Sequence, residues 1–310
     1  MKIGDLPAPQ LRERLAVDGV AFRVGPYVTR LRSPIARVAE GLHLVGAHHP
    51  LAAPADFVDF DLEIRPRLGL RPPVHRLARL FVDGAAPFNA FPVAQSYAMF
   101  EWGLNWCVAT RSDRYLLVHS AVVEKGGRAL LLPAPPGSGK STLCAALVCR
   151  GWRLFSDELA ILRSDGLLAP IPRPVSLKNA SIDVIRRFEP GAVIGGTAHE
   201  TIKGTVAYLR PPADSVDRQA EPARPAWVVF PKYEAGAVLR FAPHSRARTL
   251  VFLAHNSFNY HVHGARGFTL LADVLEHCAC HDLGYGSLED ALRCVESLAS
   301  NDGAARPATA

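Results

Sequence analysis

The sequence has little of what would place it outside the ordinary globular class. Only 2 of its 310 residues are methionine and 6 are cysteine. So few cysteines, irregularly spaced, do not make the disulfide framework of a small secreted domain, and a reducing cytoplasm is the expected setting. No apolar run approaches the ~18 residues that a membrane-crossing helix needs, so no membrane partner is expected. Met1–Leu15 carries Asp5, Pro7, Pro9 and Glu13 where the apolar stretch of a secretory leader would lie, and no leader is expected either. There is no internal repeat and no long low-complexity segment. Neither sign of charge dominates: 35 Lys and Arg stand against 29 Asp and Glu, a formal charge of +6. The arginines are scattered rather than gathered in a basic block, so no nucleic-acid partner is expected.

What is present is the material of a packed core. The chain is 49% hydrophobic with four tryptophans, enough apolar surface to offset the entropy of ordering it. At about 150 residues per domain, the length suits one large domain or two modest ones. Residues 1–110 alternate short apolar patches with turns. Val20–Val28 and Phe57–Ile64 show the period of two that marks half-buried strands, and Ser96–Ala109 is a helix candidate with Met99, Trp102 and Trp106 on one side. No motif in this stretch carries chemistry, and it reads as an α+β accessory region. Residues 111–300 read as the catalytic domain, and 301–310 as a flexible tail. Two stretches rich in proline interrupt the pattern, Ala85–Pro92 and Arg210–Ala226; the second reads as a long polar loop.

The middle of the chain is more explicit. Tyr115–Val123 has the pattern of one buried strand, Glu124–Gly127 is a turn, and Arg128–Leu132 is a second apolar strand running into Pro133–Ser141. A helix follows from Ser141 to Arg150, stopped by Gly151. Trp152–Phe155 then begins a strand that delivers Ser156, Asp157 and Glu158 and continues through Leu159–Leu162.

Gly137–Ser138–Gly139–Lys140–Ser141 is the strongest signal. Glycines allow a tight turn whose backbone N–H groups face inward on phosphate oxygens, and the following helix adds its positive end. Lys140 can reach the β- and γ-phosphates and the Ser141 hydroxyl can ligate Mg²⁺; Pro136 through Thr142 are the residues expected to line the nucleotide. The loop departs from G-x-x-x-x-G-K-[ST] at its first glycine, which is Ala134 here, and Pro135 and Pro136 bring no N–H. Asp157 and Glu158 follow at a strand tip, where a phosphate loop with Mg²⁺ needs carboxylates. Asp157 lies only 17 residues after Lys140, a short interval for that role. His119, 21 residues before Lys140, lies in an apolar strand; taken alone, such a histidine is more often a core residue than a catalytic one.

Together, Val118–His119–Ser120, the glycine loop and Arg150–Glu158 resemble the core of HPr kinase/phosphorylase, a bacterial enzyme that phosphorylates a serine of a small carrier protein. Within that family the chain is most similar to the HPr-related kinase A group, through Glu101–Cys107, Ser176–Asn179, Lys203–Gly204, Ser257–Tyr260 and Leu283–Leu288. The resemblance implies an α/β phosphate-loop kinase fold of the kind shared with phosphoenolpyruvate carboxykinase, and it accounts for the short Lys140–Asp157 interval. It implies ATP and Mg²⁺ as cofactors, with Lys140 on the β/γ-phosphates and Ser141, Asp157 and Glu158 around the metal. Asp157 becomes the general base, Glu158 its assistant, and His119 a neighbour of the acid pair. It further implies a homo-oligomer and a dedicated protein, peptide or small hydroxyl-bearing acceptor. Asp157–Glu158 stands where the family has two aspartates, and Ser176–Asn179 replaces its later acidic signature, so the reverse phosphorylase reaction is not expected. Lys178 or Lys203 could add positive charge. A nucleotide-binding regulatory or scaffold protein without transfer is the alternative.

Three further clusters have ordinary explanations. His277–His281 (HCACH) suggests a metal, but Leu270–Cys280 reads as helical, with Cys278 and Cys280 on different sides, and zinc is not expected. Asn256–His263 could touch substrate or form a locally bonded loop. Arg186, Arg187, Arg246 and Arg248 read as surface charges.

Overall fold

A computed structural model describes residues 1–67 and 77–304. The chain is mixed α/β and forms two compact units, one of Met1–Asp113 with Ala169–Glu221, the other of Arg114–Leu168 with Pro222–Ala310. In chain order, the first unit begins with α1 (Ala8–Ala16), β1 (Val20–Val24), β2 (Tyr27–Arg32), α2 (Ala36–Val45), β3 (Phe60–Pro66), β4 (Leu77–Val82), β5 (Phe91–Pro92) and α3 (Ser96–Arg111). The five strands make one sheet in sequence order, parallel only between β2 and β3. Alternate residues of β1 and β4 are buried, as the period of two predicts. Val20–Val28 is thus a strand and a turn at Gly25, after which β2 returns antiparallel.

The second unit opens with β6 (Leu116–His119), β7 (Ala121–Lys125), β8 (Arg128–Leu132), α4 (Lys140–Cys149), β9 (Arg153–Ser156), β10 (Leu159–Leu162) and β11 (Leu168–Ala169). The chain then returns to the first unit for β12 (Val175–Lys178), α5 (Ala180–Phe188), β13 (Ile194–Thr201), β14 (Gly204–Leu209) and α6 (Ala213–Asp217), with β12, β14 and β13 forming a three-stranded sheet. A single boundary near residue 110 does not describe this path. The second unit closes with β15 (Arg224–Tyr233), β16 (Arg240–Pro243), α7 (Arg246–His255), α8 (Tyr260–Glu276), β17 (Ala279–Tyr285) and α9 (Leu288–Ala304). Its main sheet has the order β16-β17-β15-β8-β7-β9, and β11, β10 and β6 form a smaller one.

Several expectations change. Tyr115–Val123 is two strands in different sheets, divided at the fully buried Ser120. Asp157–Glu158 likewise separates β9 from β10. Runs buried on both faces lack the alternation that would have shown the breaks. The supposed polar loop Arg210–Ala226 contains α6 and the start of β15. The helix ends at Glu276, so Cys278 and Cys280 are not on one. Of the expected tail, residues 301–304 continue α9, and 305–310 lie outside the described residues.

The core of the second unit includes Leu116, Val118, Leu131, Phe155, Val228, Leu253, Leu271 and Leu275, all buried. α4 is buried on almost every side from Leu143 to Val148, as an apolar-all-round helix should be. Each such Leu or Val contributes about 1.5–3 kcal/mol by leaving water, so the helix that carries Lys140 is firmly seated. No helix among the described residues is long and apolar enough to cross a membrane.

Candidate functional site

Strand register brings the predicted residues to one end of the main sheet. Leu132, last in β8, pairs with Ala121, first in β7, and Ser156, last in β9, pairs with Val122. The loop after β8, the His119–Ala121 junction and the Ser156–Leu159 turn therefore meet. β15 and β17 run parallel to β8 and finish at the same end, with Tyr233 opposite Tyr285. Outside the carboxyl ends of such strands is where open α/β sheets bind ligands.

The loop is shaped by Gly137 and Gly139, at φ +86° and +87°, a region that L side chains rarely enter. Ser138 N–H donates to Pro135 C=O at 3.3 Å, and Tyr233 N–H donates to Ser138 C=O at 3.0 Å. A Cβ at Gly139 would stand 2.6 Å from Tyr285 Oη and 2.9 Å from Tyr233 Cβ, whereas one at Gly137 would meet open space. α4 starts directly at Lys140 with no side-chain cap and no acid in its first turn. The first N–H groups of a helix lack intrahelical partners and carry its positive end, so this end can receive an anion. Ser138 Oγ is buried with no hydrogen-bond partner among the described residues. Ala134 is buried, Pro135 and Pro136 bring no N–H, and the donors that follow them start at Gly137.

Lys140 and Asp157 are 8% and 4% exposed. His119 Nε2 lies 2.9 Å from Lys140 Nζ and 3.0 Å from Glu158 Oε2. One ring nitrogen cannot serve both in the same state: bare, it accepts from the Lys140 ammonium; protonated, it donates to the Glu158 carboxylate. An anion that draws Lys140 away leaves Nε2 to Glu158. The acid-bearing turn is held by Ser156, whose Oγ accepts from the N–H groups of Glu158 (3.2 Å) and Leu159 (2.9 Å). Ser120 N–H donates to Glu158 C=O at 3.2 Å. Behind the site, the Cys144 thiol is pushed well up, first by burial and then by the Asp157 charge, with Lys140 opposing. It stays protonated and is no nucleophile.

No three His, Cys, Asp or Glu side chains gather into a metal-ligand set among the described residues. Mg²⁺ does not require one, being held by one or two carboxylates together with phosphate oxygens and waters. Asp157, Glu158 and the Ser141 hydroxyl suit that use. In the HCACH run the cysteines and histidines go different ways. Cys278 and Cys280 both enter the apolar core, burial pushes the Cys278 thiol up to about 12, and the His281 ring stacks on Phe241 at 4.3 Å.

Segment 256–263 proves to be a positioning element. Asn256 C=O accepts from His119 N–H, and Phe258 N–H donates to Leu117 C=O, both at 2.9 Å. The Asn259 side chain accepts from Leu117 N–H and donates to Tyr115 C=O. The outer edge of β6 is thereby paired and His119 fixed. Sequence reasoning missed Ser156, Tyr233 and Tyr285 as parts of the site; the signal for Tyr285 was its place within Leu283–Leu288. Lys178 and Lys203 belong to the first unit, where Lys203 Nζ lies 5.2 Å over the Trp102 ring. Arg186 is exposed beside Asp183, and Arg187, Arg246 and Arg248 are exposed.

In comparisons with known proteins, no family model matches the chain, and no curated protein shows significant similarity to it.

Proposed function

We propose that the chain is an ATP-dependent kinase with a phosphate-loop core of the HPr kinase type, transferring the γ-phosphoryl group to a serine or threonine hydroxyl of a dedicated protein or peptide. The observation that carries this reading is the meeting of an uncapped helix N-terminus and its lysine with His119, Asp157 and Glu158 at the carboxyl ends of parallel strands. Phosphoryl transfer asks the protein for little covalent chemistry, mainly positioning and neutralisation of charge, and these residues supply both.

Pro136 to Thr142 enclose the phosphates, with N–H donors from Gly137 onward. Lys140 shifts from His119 to the β/γ-phosphate oxygens, and its burial keeps that charge from being screened by water. Mg²⁺, held by Ser141 with Asp157 or Glu158, would neutralise charge on the phosphate oxygens. Asp157 orients the acceptor hydroxyl and takes its proton as the oxygen forms its bond to the γ-phosphorus. The bond from that phosphorus to the bridging oxygen breaks, and ADP leaves. Glu158, with His119, holds the turn that aims Asp157. The assembly is a homo-oligomer on this reading.

The test is transfer of labelled γ-phosphate from Mg-ATP into host extract. A labelled band should appear with the wild type and be absent with Asp157→Asn and Lys140→Ala. Asp157→Asn should still bind nucleotide, and Lys140→Ala should not. Transfer that survives Asp157→Asn would remove the base assignment, and binding without transfer in the wild type would favour a nucleotide-binding scaffold.

A further inference from the structure

We infer that Tyr233 is the platform on which the nucleobase stacks, which makes the ligand a purine nucleoside triphosphate rather than a bare polyphosphate. The inference rests on the phosphate-loop reading above and adds a direction to it. In the main sheet the strand order β9-β7-β8-β15 places the acids, which follow β9, three strand spacings from Tyr233 at the end of β15. At ~4.8 Å per strand this is about 14 Å. A triphosphate lying on the loop after β8 with its terminal phosphate toward Asp157 must direct its nucleoside the other way, over β15. That span suits an extended nucleotide from terminal phosphate to base.

Tyr233 is built for such contact. Its main chain is locked to the loop by the hydrogen bond to Ser138, while its side chain is 48% exposed. Tyr285, 1% exposed, lies against it with ring centroids 5.6 Å apart. Glu234 N–H donates to Tyr285 C=O at 3.0 Å, and the turn that follows packs so closely on Gly286 that a Cβ there would meet Ala237 backbone at 2.6 Å. The ring therefore stands on a fixed backbone. Val238 and Leu239, 87% and 40% exposed, lie just before β16, whose first residue pairs with Gly284 near the end of β17. They are at the same end of the sheet and add exposed apolar surface there. Stacking on an aromatic ring works through the π-face of the base and is strongest for the larger purines.

Binding of Mg-ATP, Mg-CTP and Mg-tripolyphosphate to wild type, Tyr233→Ala and Tyr233→Phe tests this by calorimetry. Base–aromatic stacking is worth about 1–3 kcal/mol, or about 5- to 150-fold in affinity. Tyr233→Ala should weaken Mg-ATP by that factor and leave tripolyphosphate within about twofold, which also shows that the loop remains folded. Tyr233→Phe should keep both, and the wild type should prefer ATP to CTP. Equal loss of ATP and tripolyphosphate in Tyr233→Ala, or no loss of ATP, overturns the inference while the phosphate loop stands. If the wild type binds neither ligand, the phosphate-loop reading fails and takes the inference with it.

Discussion

At the scale of single residues the loop offers a contrast between two glycines with almost the same backbone. Gly137 and Gly139 both have φ near +86°, so alanine at either carries the left-handed strain of about 1–2 kcal/mol. Only at Gly139 would the new Cβ also collide, with Tyr285 Oη and with Tyr233 Cβ, which belongs to a fixed main chain. Gly139→Ala is therefore predicted to lose at least tenfold in Mg-tripolyphosphate affinity by calorimetry, and Gly137→Ala clearly less. Equal effects would mean that the packing of Tyr233 and Tyr285 against the loop does not shape it. His119 illustrates a role that its neighbours in sequence do not reveal. Its place in an apolar strand pointed to the core, yet the end of β6 presents Nε2 to Lys140 and Glu158.

At the scale of elements, the acid-bearing turn depends on how β9 is held to β7. Glu124 and Arg153 face each other in that pairing and form a buried ion pair, 2% and 5% exposed, with Gly127 N–H donating to the same carboxylate. Breaking a buried ion pair by removing one member costs about 3–5 kcal/mol. Glu124→Ala should lower the unfolding free energy by that amount in urea titration. Because the pair lies at the end of β7 away from the loop, the variant that remains folded in the cold should bind Mg-ATP within about threefold of wild type. The loop, α4 and the strand after it were legible in the sequence, because glycine, lysine and an apolar run of helical length are local signals. The breaks at Ser120 and Asp157–Glu158 were not. Both are short interruptions between buried strands, and a buried run shows no alternation from which a change of sheet could be read. Cys278 and Cys280 misled for a related reason: an apolar stretch after a helix is read as more helix, although β17 begins at Ala279 and its burial keeps no clean period.

At the scale of the whole molecule the chain crosses between its two units three times, and the return of 169–221 had no sequence signal, since domain boundaries are normally read from linkers and this path has short ones. The first unit holds a feature with consequences for the stability of the chain. His49 is 2% exposed; burial, aided by the Arg173 and His48 charges and opposed by a backbone hydrogen bond at Arg23, lowers its pKa from 6.5 to about 4. The fold thus resists protonation that the unfolded chain accepts. Stability should fall as pH drops from 6.5 toward 4, by roughly 3 kcal/mol from this group. Urea titrations at the two ends of that range, on wild type and His49→Gln, should show a smaller loss in the variant. An equal loss would assign the acid sensitivity to other groups.

The same scale holds the central claim, that one end of the main sheet is a phosphotransfer centre in which Asp157 acts on the acceptor. The measurement that addresses it most directly is γ-phosphate transfer and Mg-ATP affinity on one preparation each of wild type and Asp157→Asn. A general base contributes about 10²- to 10⁴-fold, so transfer should fall by that factor while nucleotide affinity changes by less than about threefold. Transfer at the wild-type rate in Asp157→Asn, with nucleotide still bound, would contradict the account.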